Sequence, residues 1–221
     1  MKTKFLIPIL FFSSFSFAQT INLSEAISVN EINDRRLFRI DEAGDSKLLG
    51  KIEILGALDN ETNAFNKFYE KAKVVGANSY IYNVEKDLNG DEILSNTKSI
   101  SLYYTPSISE KSNSFYVFSS NKFQKLVING NYVEMPIGTY IVGEINETES
   151  NYISTRKFLG SRINLHYKEK QPEQYFQVLS GGVSSDKSGV TGGLVLKTGD
   201  IVMLEKSFAN FLTLFYHKKT L

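Results

Sequence analysis

The chain contains no cysteine among its 221 residues. That excludes disulfides, thiolate metal sites and cysteine nucleophiles together. Tryptophan is also absent, and only two histidines are present. Basic charge is in no excess, since 25 Lys and Arg face 24 Asp and Glu. A protein that binds nucleic acid through its phosphates needs a basic surplus, so nucleic acid is not an expected partner. Beyond the first residues no apolar run is long enough to span a bilayer as a helix.

The N-terminus reads as an export signal. Lys2 and Lys4 precede the apolar run from Phe5 to Phe12, and Ser16-Phe17-Ala18 supplies small residues before Gln19. This order of charge, apolar run and cleavage site defines a secretory signal over residues 1–18, too short for a membrane span. Gln19 is not a cysteine, so a lipoprotein anchor is not expected. The expected locations are periplasmic, outer-membrane-associated or extracellular. Packing must then supply the stability, and aromatic residues, 13% of the chain, provide the material.

One helix stands out. Asp59 or Asn60 offers an N-cap, Glu61 falls in the first turn, and Phe65, Phe68, Ala72 and Val75 share a face. Lys71 and Lys73 suit the C-terminal end of the dipole, and Gly76 stands where a left-handed residue closes a helix. "GKIEILG" before it and "NSYIYNV" after it read as strands, with "SISLYYT" returning antiparallel beyond a "DLNGDE" turn. "RLFRI" adds another strand. The expected fold class is α+β: a small helix-on-sheet domain over residues 19–105, a Ser-rich linker over 106–114, and a β-rich domain over 115–221. In that last part short apolar runs recur between turn signals, which predicts an all-β sandwich or partly open barrel. Asn129-Gly130 between "FQKLVI" and "NYVEM" is the clearest hairpin signal.

Chemical motifs are few. Gly181 to Gly193, "GGVSSDKSGVTGG", has Gly and Ser with a Lys-Ser pair, but Asp186 stands where a phosphate loop requires Gly before Lys187. Asp87-Leu88-Asn89-Gly90-Asp91 resembles the start of a calcium loop, yet Gly is fourth rather than sixth and Lys98 occupies the twelfth position. His166 and His217 each lie beside a tyrosine in a strand-like run, with no metal-ligand spacing. Glu144, Glu147 and Glu149 cluster near a hairpin loop as solvated charge. Tyr80, Tyr82, Tyr103, Tyr104, Tyr132 and Tyr140 are read as packing residues before a binding face. No catalytic, cofactor-binding or metal residue is assigned, and no cofactor is expected.

At the helix exit, residues 64–84, "AFNKFYEKAKVVGANSYIYNV", resemble small bacterial α/β domains of the YbjQ and RcsF kind. The matching positions are Lys71, Ala72, Gly76, Ala77 and Asn78. That resemblance implies an envelope or small oligomeric module, with no catalytic residue to carry over. Asn129, Gly130, Pro136, Gly138 and Tyr140 loosely resemble a hairpin run of surface sandwich domains.

Taken together, the expected function is non-catalytic: an exported binding or structural accessory protein of a bacterial cell envelope. An envelope protein is the expected partner, and peripheral membrane association is compatible with the sequence. The alternative is a secreted hydrolase acting on polysaccharide through paired carboxylates, which need no local motif.

Overall fold

A computed structural model describes residues 19–31, 34–56, 58, 60–84, 95, 97–108, 112–148, 150–155, 160–179, 197–198 and 200–220. The signal, the "DLNGDE" turn, Asp59, Glu149 and the glycine-rich stretch 181–193 lie outside the described residues.

The first layer is a five-stranded sheet carrying one long helix. Its elements are β1 (Thr20–Ala26), β2 (Phe38–Arg39), β3 (Lys47–Leu55), α1 (Glu61–Val74), β4 (Ser79–Asn83) and β5 (Thr97–Tyr104). The strand order is β1-β3-β5-β4-β2. Only the β2–β4 pair is parallel. β3 and β4 therefore run the same way, with α1 as their crossover and β5 inserted between them.

The helix forms where its pattern predicts. The Asn60 side chain accepts the Asn63 N–H at 2.9 Å, which satisfies one of the first-turn donors. Phe65, Phe68, Ala72 and Val75 are all buried. Gly76 follows with φ +73°. Lys73 does more than complement the dipole: its Nζ donates to the carbonyls of Asp34, Arg36 and Ala77, each at 2.6 Å. Burial pulls its pKa down to about 8.

β1 was not among the expected strands. "TINLSEA" buries Ile21, half-buries Leu23 and pairs with β3, with an irregularity between Leu23 and Glu25. The "RLFRI" strand is shorter than its apolar run, only Phe38–Arg39.

The second half builds two further sheets from β6 (Ser114–Phe118), β7 (Gln124–Ile128), β8 (Asn131–Met135), β9 (Thr139–Glu144), β10 (Asn151–Ser154), β11 (Arg162–Leu165), β12 (Gln174–Val178), β13 (Lys197–Thr198), β14 (Ile201–Met203), α2 (Lys206–Leu212) and β15 (His217–Lys219). One sheet has the order β11-β10-β7-β8, the other β13-β14-β12-β6-β9-β15. Phe115, Val117, Ile141, Phe176 and Val178 from the six-stranded sheet meet Leu126, Ile128, Met135 and Ile153 from the four-stranded one in a shared core. This is sandwich packing. Among the described residues none of the sheets closes into a barrel. Asn129 (φ 49°) and Gly130 (φ 84°) make the two-residue turn between β7 and β8, both left-handed as such a hairpin requires.

One expectation is corrected. "FLTLFYHK" is not a strand, and the second half is not all-β. Helix α2 covers its beginning, and only His217–Lys219 pairs as a strand, parallel to β9. Phe208, Phe211, Leu212 and Phe215 lie at i, i+3, i+4 and i+7, which is helical spacing. The Glu205 carboxylate caps the start by accepting the Phe208 N–H at 2.9 Å. Aromatic content hid the period.

Helix α2 faces the first layer. Phe211 packs on Phe65 and Phe68 of α1, with ring centroids 5.6 and 5.2 Å apart. The core around α1 accordingly contains Phe118, Tyr175, Ala209, Phe211, Leu212 and Leu214 beside Ile52, Phe68 and Tyr80. Buried residues from both sides of 106–114 thus share one cluster. Tyr216 adds a polar tie, its hydroxyl donating to the Glu61 carboxylate at the start of α1.

Candidate functional site

The six-stranded sheet has two faces, because side chains alternate along each strand. Phe115 and Val117 point into the sandwich core, so Tyr116 and Phe118 point the other way, toward the first layer. Parallel pairing places Tyr175 of β12 beside Tyr116 of β6, and antiparallel pairing sets Tyr140 of β9 opposite Phe118. The rings stack in a row. Tyr175 and Tyr116 have centroids 4.7 Å apart at 23°, Tyr116 and Tyr140 6.3 Å at 22°, and Tyr140 and Phe118 5.4 Å at 22°.

Between this row and the first layer lies a cleft of about 1310 Å³. Its far wall is β2 with the following segment 40–46, and residues 105–108 after β5; α2 closes one side. Since the tyrosine faces are spent on one another, the rings offer mainly edges and hydroxyls to the space.

Glu173 anchors the polar end. Its carboxylate, 10% exposed, accepts the Tyr175 hydroxyl at 2.6 Å and the Tyr116 hydroxyl at 3.2 Å, and pairs with Lys206 Nζ at 3.2 Å. Lys206 also sits 4.6 Å from the centroid of the Phe38 ring. Burial, reinforced by the Glu173 charge, pushes both tyrosine hydroxyls well above the usual phenol range. Both therefore stay protonated donors at physiological pH. Tyr140 is raised as well, mainly by burial, against the opposing Arg39 charge.

Asn210 of α2 joins the two walls. Its Oδ1 accepts the backbone N–H of Arg39 at 2.9 Å, and its Nδ2 donates to the Tyr175 hydroxyl at 3.1 Å. The Arg39 guanidinium donates to Thr213 Oγ1 at 3.1 Å. Charge in the cleft is mixed and leans acidic: Asp41, Glu42, Asp45, Glu144 and Glu173 against Arg39, Lys206 and Lys218.

Few residues singled out from the sequence meet here. Tyr140 and Glu144 line the cleft. Tyr80 is fully buried in the first core, and Tyr82, Tyr103 and Tyr104 are half-buried along β4 and β5. Tyr132 is exposed on β8, outside the cleft, and Glu147 is exposed beyond β9. His166 and His217 are exposed and line no part of the cleft. Among the described residues no cluster of three or more His, Asp or Glu is arranged to hold a metal. Tyr116, Glu173, Tyr175, Lys206 and Asn210 were missed, because no local motif marks groups brought together from separate strands and a distant helix.

Compared with known proteins, the chain matches no family model, no curated protein and no solved structure.

Proposed function

We propose that the chain is an exported, non-catalytic binding protein, an accessory component of a bacterial cell envelope, whose ligand seats in the interlayer cleft. The observation that carries this reading is Glu173. The most buried carboxylate of the cleft is committed to Tyr116, Tyr175 and Lys206, which makes it a part of the wall and not a free acid or base. A wall built of mutually bonded polar groups suits recognition, since its shape is fixed before a ligand arrives and little reorganisation is needed. The cleft exceeds the roughly 300–1,000 Å³ of ordinary small-molecule pockets, which suits a polymer segment or a partner's loop. The division into a helix-on-sheet domain and a sandwich domain belongs to the same reading, with each forming one wall.

Export rests on residues 1–18, and the resemblance to YbjQ and RcsF domains supports an envelope setting. Among the described residues no helix is long and apolar enough to cross a membrane. The tagged mature chain, recovered from envelope extract by pull-down, is expected to come out in a stable complex. A monomeric, unbound protein in periplasmic extract contradicts the proposal.

A hydrolase acting on polysaccharide is the second reading, favoured by the acidic residues Asp41, Glu42, Asp45 and Glu144 along the cleft. Release of reducing ends from envelope polysaccharide, abolished by Glu144→Gln with the melting temperature unchanged, would establish it over binding alone.

A further inference from the structure

Gln19 is the first described residue, and Thr20 immediately after it opens the edge strand β1, paired with Leu55 of β3. Cleavage after Ala18 would make the Gln19 α-amine the new N-terminus, one residue before the sheet. An N-terminal glutamine carries its own electrophile, because its amide carbon Cδ lies at the distance that closes a five-membered lactam. The structure adds a second observation. Gln19 Nε2 is buried and has no hydrogen-bond partner. The nitrogen that such a ring closure would expel therefore makes no bond whose loss the fold would feel, and its departure removes an unsatisfied buried donor.

We propose that Gln19 is a modification site, cyclised after export to an N-terminal pyroglutamate. The inference rests on the export reading. In the step the neutral α-amine attacks Cδ. The N–Cδ bond forms and the Cδ–Nε2 bond breaks. Nε2 leaves as ammonia, taking up a proton released by the attacking amine. No oxidant, reductant or further reactant is required. An α-amine has an ordinary pKa of about 8, so a reactive neutral fraction exists at neutral pH. The lactam keeps one N–H donor and one carbonyl acceptor. It loses the terminal positive charge and the free amine that aminopeptidases require. That protects the start of β1, which Thr20 and Ile21 hold to β3 through Leu55 and Ile54.

The test is intact-mass spectrometry of protein recovered from the exporting cell, with free amines labelled before any digestion. The expected species spans residues 19–221, lies about 17 Da below the mass with open Gln19, and takes no label at its N-terminus. A Gln19→Ser variant cleaved at the same bond is expected at full mass with a labelled terminus. Residues 19–221 at full mass with a labelled Gln19 overturn the modification while leaving export intact. A terminus at any other cleaved position overturns the site alone. An uncleaved chain overturns both.

Discussion

The side-chain amide of Asn78 pairs with the backbone of Thr105 as a strand residue would. Its Oδ1 accepts the Thr105 N–H at 2.8 Å and its Nδ2 donates to the Thr105 carbonyl at 2.9 Å. Asn78 is fully buried and also donates to the Asp34 carboxylate at 3.1 Å. The end of α1, segment 34–36 and the end of β5 are thereby held at one point. Asn78→Ala leaves both Thr105 groups without this partner and is expected to cost about 2–4 kcal/mol in urea unfolding. Asn78→Asp should cost more at neutral pH, because a carboxylate would face both the Thr105 carbonyl and Asp34, and part of that excess should vanish on acidification. Equal unfolding midpoints for all three proteins would refute the clamp.

Gly76 is required twice. Its φ of +73° disfavours any side chain, and an added Cβ would lie 2.0 Å from the backbone carbonyl oxygen of Asn30. Backbone cannot step aside as a flexible side chain would. Gly76→Ala is therefore expected to lose at least about 2 kcal/mol, and Gly76→Val more. Thermal melting checks this; an unchanged melting temperature accompanied by lost ligand would make the loop a recognition element instead of a helix terminator.

Tyr80 makes the opposite case. It is fully buried against Phe68, edge to face at 5.2 Å, yet its hydroxyl finds no hydrogen-bond partner. Burial accordingly drives its pKa far above the usual phenol value. Tyr80→Phe keeps the ring contact and removes an unsatisfied group, so stability should rise by up to about 1 kcal/mol or stay level. A loss above about 1 kcal/mol would show that the hydroxyl is bonded after all, for example to an internal water.

Asp34 sets an acid limit. Its bidentate partner Arg36, helped by Asn78 and opposed by burial, holds the carboxyl well below the ordinary 3.8. Lys73 adds a nearby positive charge through the carbonyls of residues 34 and 36. As pH falls, the unfolded chain takes up the proton first. The contribution is therefore full above about pH 4 and is lost progressively below it. Asp34→Asn should flatten the fall of the urea midpoint below about pH 4, and an unaltered slope would contradict the assignment.

Local pattern carried much of the first layer and little of the cleft. Helix α1 was legible because its cap, apolar face and terminating glycine all fall within one window, and the Asn129-Gly130 turn because backbone geometry there admits few residues. The role of Asn78 was only half visible. Its place just after the helix-closing Gly76 is legible, but its side chain bonds to a residue 27 positions away, which no local pattern signals. Helix α2 was hidden by phenylalanines that read equally well as strand. Glu173 and Lys206 meet only after β12 and α2 have docked, and Arg39 meets Asn210 across 171 residues. Nothing in either neighbourhood signals the other.

The claim that the interlayer cleft is the binding site is tested most directly by site-specific crosslinking. A photoreactive residue would replace Ser107, exposed on the cleft wall, or Tyr132, exposed on β8 and outside it. Irradiation of the exported protein in its own envelope is expected to give one discrete adduct from position 107 and none from 132. No adduct at 107, or the same adducts from both positions, would contradict the account.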